Sequence, residues 1–67
     1  MRDDKWPQIS DDERPTLLLV DDDAVFCRVL KRALERRGYA VSVAGDVAAA
    51  LLLAEEQSPE YAVVDLK

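Results

Sequence analysis

Two short apolar runs of this chain each end in aspartate, and this pattern constrains the fold more than any other feature of the sequence. The first run, TLLLV at residues 16–20, stops at the aspartates of residues 21–23. The second run, YAVV at residues 61–64, stops at Asp65. Unbroken apolar runs of this length are typical of strands that are buried on both faces of a parallel sheet. We therefore predict two core strands that carry acids at their carboxyl ends.

The segment between these runs predicts a helix, a strand and a second helix. Residues 24–37 repeat apolar side chains at helical spacing, with one of the two preceding aspartates as the N-cap and Gly38 just past the end. Residues 39–43, YAVSV, have the composition of a strand. An Ala- and Leu-rich helix follows at residues 47–57, and a Ser-Pro pair ends it.

The element order β-α-β-α-β predicts an α/β fold with a parallel sheet and right-handed crossovers. Ligands bind such sheets at the carboxyl ends of the strands. Two sheet orders stay open. In a 3-2-1 sheet Asp65 lies roughly 10 Å from Asp21, whereas in a 2-1-3 sheet the first and third strands are neighbours about 4.8 Å apart. Only the 2-1-3 order gathers the aspartates into one acidic pocket.

The chemistry of Asp21, Asp22 and Asp65 favours a bound cation. Clustered carboxylates repel one another unless they are protonated or neutralised, and hard oxygen ligands suit Mg²⁺. A carboxylate can also attack a phosphoryl group and form an acyl phosphate. Acids at the start of a helix are favourable caps in their own right, so Asp22 or Asp23 could serve only to begin the helix. A lone aspartate after an apolar strand, such as Asp65, is often just the exit of the strand, but the joint pattern of two apolar runs that both end in acids is harder to explain by capping.

Composition excludes several other kinds of protein. A net charge of −5, from 9 basic and 14 acidic residues, argues against a general nucleic-acid binder. The chain has one cysteine, Cys27, and no histidine, which excludes an internal disulfide framework and a His-based triad. No apolar stretch approaches the about 20 residues of a membrane span, and the N-terminus lacks the apolar region of a signal peptide. We therefore expect a cytoplasmic protein with no membrane contact.

Two local features have ordinary structural interpretations. Cys27 lies beside the apolar stripe of the first helix, so we expect a buried, unreactive thiol. Residues 1–15 are rich in charge and proline and have no sustained hydrophobic period, so we expect a mobile arm.

The motifs LLLVDDD, RVLKRALERRGY, YAVSVA and YAVVDLK together resemble the first half of the receiver domain of response regulators in two-component signalling. The similarity covers residues 16–67. It implies a partial flavodoxin-like fold with the sheet order 2-1-3 that stops after the third strand. YAVVDLK and the acidic segment before PTLLLVDDD are also similar to the redox-responsive regulators of photosynthesis and respiration genes.

The resemblance implies roles for individual residues. Asp65 matches the phosphoacceptor and a member of the metal site. Asp21 and Asp22 match the acidic pair that holds Mg²⁺, with Asp22 the direct ligand and Asp21 acting more through water. The backbone carbonyl of Lys67 matches the remaining protein ligand. The hydroxyl residue and the lysine that contact the phosphoryl group in receivers have no counterpart in this sequence.

The resemblance also implies partners. A receiver is not an enzyme but takes its phosphoryl group from a sensor histidine kinase, and it can form a homodimer. The parent protein is expected to be a transcriptional regulator that reaches DNA only through a C-terminal output domain outside this sequence.

Two other functions stay open. A haloacid-dehalogenase-like phosphatase would use Asp21 as nucleophile and Asp23 as the acid of a D-x-D pair, but it would leave Asp65 without a role. A non-catalytic interaction module would pair through the third strand and the helix faces, because an exposed strand edge invites pairing.

Overall fold

The computed structural model describes residues 13–66. The elements follow one another as β1 (Thr16–Asp21), α1 (Ala24–Arg36), β2 (Ala40–Ala44), α2 (Val47–Gln57) and β3 (Tyr61–Asp65). The predicted element order is confirmed, and each predicted boundary lies within about one residue of the observed one. Lys67 and residues 1–12 of the expected mobile arm lie outside the described residues, so both predictions stay predictions.

The three strands form one parallel sheet in the order β2-β1-β3. Leu19 shows the central position of β1, since it pairs with Val43 of β2 on one side and with Val63 of β3 on the other. The sequence pattern allowed two orders, and the structure adopts the 2-1-3 order implied by the resemblance. The first and third strands are therefore neighbours, which the acidic pocket requires.

The alternation of side chains along β1 divides the core into two clusters. Leu17 and Leu19 pack with Cys27 and with partly buried side chains of α1, β2 and the turn between them, which are Leu30, Leu34, Tyr39 and Val41. Leu18 and Val20 pack with Ala44 and with the α2 side chains Ala49, Ala50, Leu53 and Ala54. Successive side chains of a strand point to opposite faces. One helix on each face therefore explains why β1 is apolar without interruption.

Side-chain caps determine where both helices begin. Asp23 accepts a hydrogen bond from the Phe26 backbone N–H at 3.0 Å, and Asp46 accepts one from the Ala49 N–H at 2.8 Å. Past the end of α1, Gly38 has a φ of +99°, a conformation that favours glycine. Neither helix in the described part of the chain is long and apolar enough to cross a membrane.

β3 is an exposed edge strand that is anchored at its start. All of its residues are exposed. Tyr61 meets Tyr39 edge to face, with ring centroids 5.9 Å apart, and the Glu60 N–H donates to the Thr16 carbonyl at 3.1 Å. Such an edge is what the interaction-module hypothesis requires. That hypothesis stays a prediction.

Ser58, at the end of α2, has a strained backbone. Its φ of 47° and ψ of 60° lie in the left-handed region, and it precedes Pro59. A non-glycine residue in this region costs roughly 1–2 kcal/mol, which glycine would avoid. Glycine also has a larger entropy in the unfolded chain, and this offsets part of the stabilisation. We therefore expect Ser58→Gly to raise the free energy of unfolding by about 0.5–1 kcal/mol, measured by urea unfolding and far-UV circular dichroism.

A matched control for Ser58→Gly is Ala48→Gly, at an exposed position in the first turn of the same helix. Glycine at this right-handed helical position should lower the free energy of unfolding by about 0.5–1 kcal/mol. If both variants are destabilised alike, the left-handed conformation of Ser58 carries no strain.

Candidate functional site

The carboxyl ends of β1 and β3 bring two predicted site residues together. Asp21 and Asp65 are direct partners in the parallel register of these strands. Neighbouring strands lie about 4.8 Å apart, and paired residues direct their side chains to the same face of the sheet. The two aspartates that end the apolar runs therefore lie side by side at the edge where α/β sheets bind ligands.

Asp21 is the buried member of the acidic group. Its side chain is 2% exposed, and Oδ1 accepts a hydrogen bond from the Asp23 backbone N–H at 2.9 Å. Oδ2 is buried and has no hydrogen-bond partner among the described residues. A buried acceptor without a partner costs about 1–3 kcal/mol, and more when it is charged. This oxygen therefore fits a site that a cation completes.

The three consecutive aspartates have three different environments. Asp21 is buried, Asp22 is exposed, and the carboxylate of Asp23 caps α1. The capping bond ties Asp23 to the helix, so the phosphatase hypothesis, which needs Asp23 as a free acid beside Asp21, is not favoured.

The structure describes only one of the two remaining predicted metal ligands, Asp65 and Lys67. Asp65 is exposed at the end of β3, and Lys67 lies outside the described residues. Among residues 13–66, no three side chains of His, Cys, Asp or Glu converge closely enough to form a metal site by themselves. The carboxylate oxygens of Asp21 and Asp22 are donors of the kind that Mg²⁺ takes in proteins.

A cleft of about 400 Å³ opens beside Asp21 and Asp22, between α1 and the end of β2. Its basic lining residues are Arg28 and Lys31. Asp65 is not among the lining residues, so this cleft lies on the β2 side of the acidic pair and the partner aspartate lies on the β3 side. This cleft could not be predicted from the sequence, because no local pattern links α1 to the end of β2.

Cys27 lies against the turn that carries the acidic residues. It is 3% exposed, and its Sγ donates to the Asp21 carbonyl oxygen at 3.5 Å. Burial, followed by the charges of Asp21, Asp23 and Asp22, raises the pKa of the thiol above its usual value of 9.0. The predicted burial of Cys27 is confirmed, and the raised pKa keeps the unreactive protonated form at neutral pH.

The raised pKa of Cys27 predicts a loss of stability at alkaline pH. The unfolded chain loses its thiol proton near pH 9.0, whereas the folded chain keeps it to a higher pH. The stability from this group is therefore complete below the unfolded pKa and is lost as the pH rises through the folded pKa. Between about pH 8 and about pH 10, we expect the urea midpoint to fall further in the wild type than in Cys27→Ala. Equal falls in both would contradict the prediction.

The chain is similar to three kinds of bacterial regulatory protein. It is 51% identical over 55 residues to the photosynthetic apparatus regulatory protein RegA of Rhodovulum sulfidophilum, which covers 82% of this chain and 30% of that protein. It is 48% identical over 52 residues to the acid tolerance regulatory protein ActR of Rhizobium meliloti, in an alignment that covers 78% of this chain and 27% of that protein. It is 33% identical over 57 residues to the probable transcriptional regulatory protein TcrX of Mycobacterium tuberculosis, in an alignment that covers 85% of this chain and 24% of that protein.

These alignments include most of this chain and a smaller part of each relative. The chain spans about 30% of the length of the first curated relatives that it matches. No protein-family model matches the chain, and no solved structure matches it significantly. The relatives are response regulators, and the parallel sheet has the 2-1-3 order that the resemblance implied. Over most of its length the chain is therefore similar to response regulators, photosynthesis regulators among them, and its fold is that of part of a receiver domain.

Proposed function

We propose that this chain accepts a phosphoryl group on Asp65, in an acidic site that binds Mg²⁺. The observation that carries the proposal is the direct pairing of Asp21 with Asp65 in the register of β1 and β3. This pairing joins a candidate nucleophile to a buried carboxylate at the ligand-binding edge of the sheet. The similarity to response regulators supports the same chemistry.

Asp65 has the properties of the nucleophile. It is exposed at the end of β3, so a phosphodonor can approach it. In the transfer, a carboxylate oxygen of Asp65 forms a bond to phosphorus while the bond from phosphorus to the donor breaks. The leaving group departs with the electron pair of that bond, and the product is an acyl phosphate.

The residues around Asp65 hold the cation and orient the site. Asp21, Asp22 and Asp65 supply hard carboxylate oxygens, and the backbone carbonyl of Lys67 completes the set that the resemblance implies. The buried Oδ2 of Asp21, which has no hydrogen-bond partner within residues 13–66, supports this assignment. When bound, Mg²⁺ shields the negative charge of the phosphoryl group from the carboxylates. The Asp23 N–H holds the other oxygen of Asp21 and so limits rotation of this carboxylate.

The partners follow from the same proposal. The phosphodonor is a sensor histidine kinase, and the phosphorylated state is read out through an output domain that binds DNA. Two of the relatives are named for photosynthesis and acid tolerance, and a third is named a probable transcriptional regulator. The protein is thus a cytoplasmic signalling component, able to dimerise, and not an enzyme with turnover of its own.

Phosphorylation by a small donor tests the proposed function. We expect radiolabelled acetyl phosphate to label the chain in the presence of MgCl₂, with acetate as the leaving group. The label should be removed by hydroxylamine, which attacks acyl phosphates, and should not form in excess EDTA. Failure to obtain a label that is both Mg²⁺-dependent and hydroxylamine-sensitive contradicts the proposal.

A further inference from the structure

Cys27 contacts the acidic turn, yet the proposed phosphoryl transfer gives it no role. The residue lies in the core cluster with Leu17 and Leu19. Packing alone accounts for its burial but not for the direction of its thiol. The thiol donates to the Asp21 carbonyl oxygen at 3.5 Å, six residues earlier in the chain.

The position of this contact allows it to affect the relative orientation of Asp21 and Asp22. The Asp21 carbonyl belongs to the peptide unit that joins Asp21 to Asp22. A peptide unit is planar, so fixing the direction of its carbonyl restricts how the two residues are oriented relative to each other. The backbone N–H of Cys27 also donates to the Asp23 carbonyl at 3.0 Å. This second bond is the ordinary first-turn bond of α1, which any residue at this position would make, so only the thiol contact is particular to Cys27.

The carboxylate of Asp21 indicates what this restraint serves. Oδ1 accepts from the Asp23 N–H at 2.9 Å, while the buried Oδ2 has no partner among the described residues. An oxygen held in a defined position with open coordination is suited to binding a cation. A rotation of the turn would change the position of this oxygen relative to Asp65, the neighbour of Asp21 in the register.

We propose that Cys27 is a positioning residue of the acidic site, whose S–H···O contact holds Asp21 and Asp22 in the orientation that binds a divalent cation. This inference rests on the proposed function, in which this pair holds the metal. Groups that orient metal ligands typically contribute about 10- to 100-fold in metal affinity. A thiol is a weak donor, so the expected contribution lies at the lower end of that range.

Binding of Mn²⁺ to the 67-residue chain, followed by the electron paramagnetic resonance signal of the free ion, tests the inference. Cys27→Val keeps an apolar side chain but removes the donor, and we expect roughly tenfold weaker binding. Cys27→Ala removes the donor with a smaller side chain and should weaken binding to a similar extent. Cys27→Ser keeps a donor, so its affinity should stay within about twofold of the wild type.

Leu34→Val is the matched control, because Leu34 packs against the same core cluster near the far end of α1. It should lower the free energy of unfolding and leave Mn²⁺ affinity unchanged. Circular dichroism without metal establishes which variants fold. Weaker binding in Leu34→Val to the same extent as in Cys27→Val overturns the inference, because core stability would then set the affinity.

The remaining outcomes separate this inference from the proposed function. Equal Mn²⁺ affinity in the wild type and in the folded donorless variants overturns the positioning role and leaves the metal site intact. A wild-type chain that binds no Mn²⁺ overturns the metal site itself, and the positioning role with it.

Discussion

We expect Asp65→Asn to reduce labelling of the chain by acetyl phosphate to background. The amide of asparagine is a poor nucleophile and cannot form an acyl phosphate, so the loss is complete rather than graded. The side chains of aspartate and asparagine are close in size, and Asp65 is exposed, so β3 should keep its pairing with β1. Electrophoresis and autoradiography of the two proteins, side by side and with equal Mg²⁺, measure the effect.

Asp46→Asn is the matched control for this substitution. It also removes one carboxylate near the carboxyl end of the sheet, but Asp46 caps α2 and asparagine caps equally well. Labelling of this variant should match that of the wild type. A label that survives in Asp65→Asn removes Asp65 from its role. If Asp21→Asn then abolished the label, Asp21 would be the nucleophile, as in the phosphatase hypothesis.

The element boundaries could be predicted because their signals are local. Asp23 and Asp46 each accept a hydrogen bond from the backbone three residues later, and Gly38 adopts a positive φ just past α1. These signals depend only on neighbouring residues, so they can be read from the sequence. The burial of β1 could also be predicted from the sequence, since an unbroken apolar run requires cover on both faces of the strand.

The sheet order and the details of the site depend on contacts between distant residues. The 3-2-1 and 2-1-3 orders share the same local patterns, and only the resemblance distinguished them before the structure showed the pairing of Asp21 with Asp65. Among three consecutive aspartates, composition cannot indicate which one is buried. Strand alternation does not supply the signal either, because both faces of β1 are covered by helices. Asp21 is buried because it is the last residue of β1, whereas Asp22 lies beyond the strand.

The burial of Asp21 bears on how the acidic pair divides its roles. The resemblance implies that Asp22 is the direct ligand and that Asp21 acts more through water. Asp22 is exposed, whereas Asp21 is buried, and one of its oxygens has no partner in the part of the chain that the structure describes. The two residues therefore differ in what their loss should do to stability, and stability measurements can separate them.

Asp21→Asn is expected to make the metal-free chain more stable. Asparagine keeps an oxygen that can accept from the Asp23 N–H, and it removes a buried charge whose Oδ2 has no partner among the described residues. Burying a neutral amide costs less than burying a carboxylate. We expect the free energy of unfolding, measured by urea titration in EDTA, to rise by about 1–3 kcal/mol. Asp22→Asn, at the adjacent exposed position, should change it by less than about 0.5 kcal/mol.

Adding Mg²⁺ should reverse this order. A ligand that binds only the folded state at 1,000 times its Kd adds about 4.1 kcal/mol to the stability of the wild type, and Asp21→Asn should lose most of that increment. Suppose that Asp21→Asn instead destabilised the metal-free chain. The hydrogen bond from the Asp23 N–H to the carboxylate would then stabilise the fold by more than burial of the charge costs, and the result would contradict the interpretation of Oδ2 as an open cation ligand. The expected crossover means that Asp21 is retained at the expense of stability, which is characteristic of a residue kept for binding.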